Sequence, residues 1–286
     1  MKKIISILKS ARSAEVALMI GFPITGTLVA FDSIQDLFSK DILIFILGVF
    51  LLCSAVYSFN GWAGTAEDEK NIRLSALKGK RKFFLLSLII FIAGFLVVFS
   101  TLSSFLVISS IVSFFLWMVY SFPKKGFKYR PILGTLIHFV GQVLHFEMGY
   151  SIIKPTDSYS LYVSIYFALL FSAGHINHEL IDYEADKETG IQTGAVYFGK
   201  KVWAVVSFIL FAGATVYLTW ISIAKTVNII VVFPFIAAGF IHVARKLMTY
   251  RFDFSRERFL TERSFYRFAY FVAGILFIVI KGLMTI

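Results

Sequence analysis

Long apolar runs alternate with short polar segments along the whole chain of 286 residues. A transmembrane helix needs about 20 consecutive, mostly apolar residues, and nine runs approach this length, although only a few polar residues near 100–104 separate the third run from the fourth. The pattern predicts nine membrane-spanning helices at residues 14–34, 42–60, 83–100, 104–122, 131–152, 159–178, 202–222, 227–244 and 265–284. We therefore expect an all-α integral membrane protein, with residues 1–286 forming a single polytopic membrane domain.

The distribution of Lys and Arg predicts the orientation of these helices. Of the 28 basic residues, 24 fall in the alternating segments 1–13, 60–82, 121–130, 178–201 and 245–267. Cytoplasmic loops of membrane proteins carry an excess of Lys and Arg. We therefore expect the N-terminus and these five segments to face the cytoplasm, in a multi-pass protein of the cell (inner) membrane.

Composition agrees with a membrane protein. Residues are 58% hydrophobic and 17% aromatic, and only 16% are charged, below the roughly 25% of soluble domains. The net charge of +11 follows from the basic cytoplasmic loops, so we expect no nucleic-acid partner. The single cysteine, Cys53, excludes an internal disulfide and a cysteine-based metal site. Basic residues precede the first apolar run without a small-residue cleavage site, so we expect an uncleaved first helix.

Two acidic clusters interrupt this pattern, each at the end of a hydrophobic span. The first occupies residues 60–69 and the second residues 179–188, and together they hold eight of the 17 carboxylates. Carboxylates at a membrane boundary are costly unless they are paired or bound to cations. Both clusters fall in loops predicted to be cytoplasmic, so both are candidates for cation binding.

Helical spacing selects residues within the second cluster. His175, Glu179, Asp182 and Asp186 fall at i, i+4, i+7 and i+11, which is one face of a helix that continues out of the sixth span. Carboxylates stacked on one stripe repel each other, and a divalent cation would remove that cost. Oxygen ligands of this kind suit Mg²⁺, which binds carboxylates together with substrate phosphates. Gly190 predicts the end of this helix, with a new start near Thr193.

The first cluster and the third cytoplasmic loop contribute further candidates. Glu67 or Asp68 shares a helical face with Asn60, and basic residues follow closely. Carboxylates from two loops, with nearby Lys and Arg, are suited to a Mg²⁺–diphosphate complex. The predicted metal ligands are Glu67, Asp68, Glu179, Asp182 and Asp186, and the predicted diphosphate-binding residues are Asn60, Arg73, Lys128 and Arg130. Glu69, Glu184 and Glu188 lie off the stripes and are expected to be solvated.

Polar side chains also lie inside the spans. His138, Gln142 and His145 form one polar face of the fifth span, at i, i+4 and i+7. Such residues are candidates for function or for hydrogen bonds between helices, and both interpretations stay open. In the functional interpretation they form a cavity wall that binds an acceptor molecule or takes its proton. His178, near the acidic stripe, is a candidate for contact with the same acceptor.

At these residues the chain resembles the UbiA-type intramembrane prenyltransferase superfamily. The second family signature is matched by Asp182-Tyr-Glu-Ala-Asp186 and its continuation Gly190-Ile-Gln-Thr193, and residues 120–131 are similar to the third cytoplasmic loop of the family. The first signature departs from the family pattern, because Gly61 and Gly64 stand where two aspartates are expected.

The resemblance implies nine helices in a bundle around a central cavity, an isoprenoid diphosphate bound with Mg²⁺, and its ionisation to an allylic carbocation. An aromatic or lipophilic acceptor then captures the cation and loses a proton. Lys128, Arg130 and His175 are the residues that we expect to be catalytic.

Two alternatives to a Mg²⁺-dependent prenyltransferase remain open at this point. One is a UbiA-type terpene cyclase, which ionises a prenyl diphosphate and closes it on itself without an acceptor. The other is a non-catalytic or transport membrane protein whose acidic loops bind cations or partners.

Overall fold

The computed structural model describes residues 13–64, 81–101, 103–122, 125–249 and 254–284. Over these residues the chain forms ten α-helices, all but one of them 18 residues or longer. In chain order they are α1 Ser13–Ala30, α2 Lys40–Gly64, α3 Arg81–Phe99, α4 Ser104–Ser121, α5 Pro131–Ser151, α6 Ser158–Thr189, α7 Gly194–Phe198, α8 Lys200–Ile223, α9 Ile229–Thr249 and α10 Arg256–Met284. Short 3-10 turns at Ile34–Phe38 and Phe127–Tyr129 precede α2 and α5. The predicted helical fold is confirmed for this part of the chain.

Local sequence explains several of the helix boundaries. The side chain of Ser103 accepts a hydrogen bond from the backbone nitrogen of Leu106 and so caps α4. Proline is favoured at the first position of a helix, and Pro131 begins α5. Asp157 and Ser160 form a reciprocal capping box at the start of α6. These caps separate α3 from α4 and α5 from α6, as the polar breaks in the sequence predicted.

Six helices (α2, α4, α6, α8, α9 and α10) are long and apolar enough to cross a membrane. Helices α1 and α3 contain shorter apolar stretches, Met19–Ala30 and Phe84–Phe99. Helix α6 continues past the predicted span end to Thr189, as the acidic stripe required, and α10 begins at Arg256, well before the predicted start at 265. The exact number of nine crossings and the cytoplasmic N-terminus stay predictions.

The chain divides into two compact units. The first unit contains the chain up to Phe31, Gln35–Tyr129 and Leu144–Thr156, and the second contains Asp32–Ile34, Arg130–Val143 and everything from Asp157 onward. In the first unit α2 packs against α1, α3 and α4. In the second unit α6 packs against α8 and α10, and α9 packs against the same two helices.

Glycines allow a close helix crossing in the first unit. A Cβ atom at Gly149 of α5 would overlap the carbonyl oxygen of Pro23 of α1, and a Cβ at Gly26 would overlap the carbonyl of Phe146. Across the same contact the hydroxyl of Thr27 donates to the carbonyl of Gly149 at 3.0 Å. Backbones that approach so closely exclude any side chain at these glycines.

Helix α6 is fixed to its neighbours by polar contacts in the second unit. The hydroxyl of Ser207 on α8 donates to the carbonyl of Ala173 at 3.0 Å. The amide of Asn177 donates to the carbonyl of Phe259 on α10 at 3.2 Å. These contacts hold the middle of α6 against α8 and α10.

Candidate functional site

The carboxylates of the second acidic cluster occupy the last turns of α6. Asp182 is exposed and Asp186 is partly exposed, one helical turn apart. Gly190 ends the helix in the left-handed conformation, with φ of 75°, and Ile191 donates its backbone N–H to the carbonyl of Asp186 at 2.9 Å. Only glycine adopts this conformation readily, so the predicted glycine stop is confirmed.

Glu179, on the same stripe, has a different environment from the two aspartates. Its side chain is only 8% exposed. Its Oε2 accepts hydrogen bonds from the indole nitrogen of Trp203 at 2.6 Å and from the backbone nitrogen of Ala195 at 3.3 Å. Its Oε1 lies 3.1 Å from Nε2 of His175. Oε2 of this buried carboxylate is therefore hydrogen-bonded within the protein, and Oε1 lies within ion-pair distance of His175. The predicted role of Glu179 as a metal ligand stays a prediction.

The fifth and sixth predicted spans bring two histidines together in the second unit. The rings of His138 on α5 and His175 on α6 are stacked, with centroids 3.7 Å apart and planes at 27°. Phe171 lies beside His138, with ring centroids 5.6 Å apart. Gln142, one turn along α5, is buried. The stack joins the polar face of α5 to the acidic stripe of α6, through a contact that neither motif predicted.

His145 belongs to the first unit. Its Nε2 lies 2.7 Å from the hydroxyl oxygen of Ser113 and accepts a hydrogen bond from the indole nitrogen of Trp117 at 3.4 Å. Because an indole nitrogen can only donate, Nε2 carries the lone pair and the Ser113 hydroxyl donates as well. Together with Cys53 and Met148, His145 lines a mostly apolar cavity between α1, α2, α4 and α5. Its predicted contact with an acceptor stays a prediction.

Only Asn60 of the predicted residues around the first signature lies within the described residues. Asn60 is half-buried in the last turns of α2, and the adjacent Gly61 is buried. Trp62 packs against Phe59 and Phe84, with ring centroids 5.5 Å and 5.2 Å away. The other three predicted residues of this region, Glu67, Asp68 and Arg73, lie outside the described part of the chain.

The third predicted cytoplasmic loop is compact. A Cβ atom at Gly126 would overlap the carbonyl oxygen of Tyr120, so the chain turns back tightly on the end of α4. Lys128 lies in the following 3-10 turn with its ammonium 5.0 Å from the ring centroid of Tyr129. Arg130 is exposed at the start of α5. Both cationic side chains therefore lie in the short segment that comprises the 3-10 turn and leads into α5.

His178 contacts a residue for which the acidic motifs gave no indication. Nη2 of Arg267 on α10 lies 3.0 Å from Nε2 of His178. A guanidinium can only donate, so this ring nitrogen is the acceptor and the imidazole is neutral. The predicted contact of His178 with an acceptor molecule stays a prediction.

The second unit contains a buried charged cluster that the sequence analysis does not predict. Lys246 and His242 of α9 are fully buried, and Glu262 of α10 is 4% exposed. Nε2 of His242 lies 2.7 Å from Oε1 of Glu262. The ammonium of Lys246 donates to the hydroxyl of Ser207 at 3.3 Å. The sequence does contain a signal for this cluster, because His242 and Lys246 lie four residues apart and share one face of an apolar helix. They lie at the boundary between a predicted span and a basic loop, where polar residues are expected.

The chemistry of the exposed carboxylates fits Mg²⁺. Among the described residues no group of three or more His, Cys, Asp and Glu side chains could enclose a metal ion. Mg²⁺ is commonly bound by one or two carboxylates together with waters and substrate phosphates, rather than by a cage of protein ligands. Asp182 and Asp186, one turn apart and accessible, are side chains of the kind that such an incomplete site would use.

Comparisons with known proteins agree with the helical architecture. A comparison with curated proteins gives no match. Among solved structures the chain is similar to a UbiA homolog from Archaeoglobus fulgidus bound to GPP and Mg²⁺, with a TM-score of 0.75 and 18% identity over 98% of this chain and 99% of the other. A structure described as digeranylgeranylglyceryl phosphate synthase gives a TM-score of 0.73 and 18% identity over 99% of both chains. These TM-scores establish a shared fold.

The sequence matches the family model of the UbiA prenyltransferase family over residues 19–274. This match covers most of the chain and includes Asn60, the His138 to His145 face and the Asp182 and Asp186 pair. The chain therefore belongs to the UbiA prenyltransferase family.

Proposed function

We propose that this protein is a Mg²⁺-dependent membrane prenyltransferase that moves an isoprenoid group from its diphosphate to an aromatic or lipophilic acceptor. The observation that carries the proposal is the geometry of α6. One continuous helix runs from an apolar segment to Asp182 and Asp186, which are accessible and one turn apart beyond its packed base. Members of the family are prenyltransferases, and a homolog of similar fold was solved with GPP and Mg²⁺.

In this proposal Asp182 and Asp186 would hold Mg²⁺ together with the diphosphate. The bound ion would supply charge to the diphosphate oxygens as the allylic C–O bond breaks. Lys128 and Arg130 add positive charge for the leaving diphosphate, because charge that develops in a dry site must be stabilised by fixed groups. Asn60, Arg73 and the carboxylates of Glu67 and Asp68 remain the predicted contributions of the first signature.

His175 is the proposed proton acceptor. The carboxylate of Glu179, 3.1 Å from Nε2 of His175, favours a proton on that nitrogen. The lone pair then lies on Nδ1, which is the nitrogen able to accept a proton from the acceptor molecule as the new bond forms. Stacking on His138 fixes the plane of the ring, so Glu179 and His138 orient the base. His138, Gln142, His145 and His178 remain the proposed contacts for the acceptor.

The test measures release of diphosphate by the purified protein in lipid nanodiscs supplied with labelled geranyl, farnesyl or geranylgeranyl diphosphate. We expect release that requires Mg²⁺ and falls at least about 100-fold in Asp182→Asn and in Asp186→Asn, as for loss of a group that stabilises developing charge. Glu184→Gln is the matched control, because Glu184 is exposed on the same helix and pairs with Lys200 at 2.6 Å.

Products separate the proposal from its alternatives. Mass spectrometry of mixtures with phenolic, quinone-precursor and lipid-phosphate acceptors should detect an acceptor enlarged by one prenyl group. A cyclic hydrocarbon formed without any acceptor would identify a terpene cyclase instead. Diphosphate release that is equal in the Asp182→Asn variant and the unaltered protein would contradict both enzymatic functions and favour a transport or binding role.

A further inference from the structure

Three arginines of α10 lie on the side that meets α6. Arg256, Arg263 and Arg267 fall at i, i+7 and i+11, which is one face of a helix. Nε of Arg256 donates to the carbonyl of Ile181 at 3.3 Å, and Nη2 of Arg267 donates to Nε2 of His178 at 3.0 Å. Arg263 lies between them in the sequence and within electrostatic range of the same His178 ring. The arginines therefore flank the contact between the two helices.

The positive charges of Arg263 and Arg267 are not balanced within the described part of the chain. Neither guanidinium forms an ion pair with a described carboxylate. The nearby acid of α10, Glu262, instead contacts His242 at 2.7 Å and Arg245 at 3.8 Å. Within the described residues Arg267 contacts the neutral acceptor His178 and the side chain of Tyr266, and neither of these carries a negative charge. Arg267 is exposed and Arg263 is partly exposed, so both can reach a ligand.

The neighbours of His178 indicate which ligand this is. His178 precedes Asp182 by four residues on α6, so the two side chains lie next to each other on the helix surface. Two guanidinium groups present several donors in a fixed planar arrangement that matches phosphate oxygens. A group with one or two phosphates, lying against Asp182 through a bound cation, would also lie against these arginines.

We infer that Arg263 and Arg267, with Arg267 oriented by His178, bind the diphosphate of the prenyl donor. This inference rests on the proposed function, because it adds α10 to the donor site assigned to α6. The diphosphate and the two carboxylates together carry more negative charge than one divalent cation neutralises. The positive charges of Arg263 and Arg267 would balance part of the remainder. His178 is then a positioning residue for Arg267 as well as a candidate contact for the acceptor.

Binding in the absence of turnover tests the inference. The probes are geranyl diphosphate and inorganic pyrophosphate, measured by calorimetry with Mg²⁺ on protein in phosphatidylcholine nanodiscs. We expect Arg263→Gln and Arg267→Gln each to weaken binding of both probes by about 10-fold, and the double variant by about 100-fold, as for loss of charge-assisted hydrogen bonds. Lys201→Gln, which removes an exposed charge at the start of α8, should change binding less than about twofold.

Two further variants keep the result interpretable. Arg267→Lys keeps the charge but loses the planar fork, so its binding should be intermediate. His178→Phe should weaken pyrophosphate binding by a smaller factor, and that loss should disappear when Arg267 is already Gln. A thermal unfolding curve for every variant identifies any that do not fold. If Arg267→Gln does not fold, Arg267→Lys replaces it in the binding measurement.

A lipid phosphate is the other source of the same chemistry. If the arginines bind lipid headgroups, the Gln variants will bind pyrophosphate like the unaltered protein and will lose only their preference for phosphatidylglycerol nanodiscs. That result would overturn the inference. A protein that binds geranyl diphosphate through these arginines but never releases diphosphate would instead contradict the proposed transferase, and so the two failures are distinguishable.

Discussion

The indole nitrogen of Trp203 donates a 2.6 Å hydrogen bond to Oε2 of Glu179, across 24 residues of sequence. Gly194, at the start of α7, makes this contact possible, because a Cβ there would overlap the indole ring. The carboxylate that helical spacing places on a metal-binding stripe is therefore enclosed between α6, α7 and α8. Its neighbours Asp182 and Asp186 are the accessible members of that stripe.

Trp203→Phe should lower the stability of the protein. The substitution keeps an aromatic ring but leaves a buried carboxylate without its shortest hydrogen bond, which costs about 1–3 kcal/mol of unfolding free energy. Thermal unfolding in detergent measures the change. Trp220→Phe, at an exposed position of the same helix, is the control and should have little effect. Equal stability of the two variants would show that the Trp203 contact contributes nothing.

Glu179→Gln distinguishes a positioning role from metal binding. The amide retains an oxygen that can accept from Trp203 but loses the negative charge beside His175. We expect lower turnover with an unchanged Mg²⁺ concentration for half-maximal activity. The measurement is a Mg²⁺ titration of diphosphate release, with Asp182→Asn for comparison. A Mg²⁺ requirement that rises in Glu179→Gln as it does in Asp182→Asn would make Glu179 a metal ligand.

The buried cluster of α9 and α10 should be sensitive to the loss of one charge. Glu262→Gln removes the carboxylate that contacts His242 at 2.7 Å and whose charge acts on the buried Lys246 ammonium, and a buried charge left uncompensated costs about 3–5 kcal/mol. The double variant Glu262→Met with Lys246→Met should recover most of that loss, because no uncompensated charge remains buried. Glu257→Gln, exposed in the first turn of α10, is the control. Additive losses in the double variant would contradict an interaction between the two residues.

The crossing of α1 and α5 should not tolerate a methyl group. Gly149→Ala would force the Ala side chain into the carbonyl of Pro23, and overpacking of this kind typically costs about 1–3 kcal/mol. Gly213→Ala is the matched control, since a Cβ at Gly213 meets no atom within 4 Å. Unfolding midpoints in detergent should fall for Gly149→Ala and stay level or rise for Gly213→Ala.

The apolar periodicity predicted the helices well because burial in lipid imposes length and composition on each segment. The second signature was equally informative. Its aspartates are accessible at the end of a single helix, and the glycine that follows them has the positive φ that its position suggested. Local sequence determines both features, so they could be predicted without knowledge of the packing.

Contacts between distant helices could not be predicted in this way. Helical spacing predicts the same role for Glu179 and Asp182, because spacing specifies a face of the helix but not what covers that face. Trp203 covers that face, and no local pattern connects it to Glu179. Lys246 and Glu262 likewise fall in the predicted cytoplasmic segment 245–267. Helices α9 and α10 extend beyond their apolar cores and bury both charges between them.

The single thiol of the chain, Cys53, is buried on α2 against the cavity of the first unit. A shielded native thiol means that a cysteine introduced in a loop would dominate labelling by a polar maleimide. Lys154→Cys and Lys201→Cys would therefore report which side of the membrane each loop occupies. The charge distribution predicts labelling of the first variant in intact cells and of the second only after lysis. The reverse pattern would invert the assigned orientation and move the Asp182 site to the opposite face of the membrane.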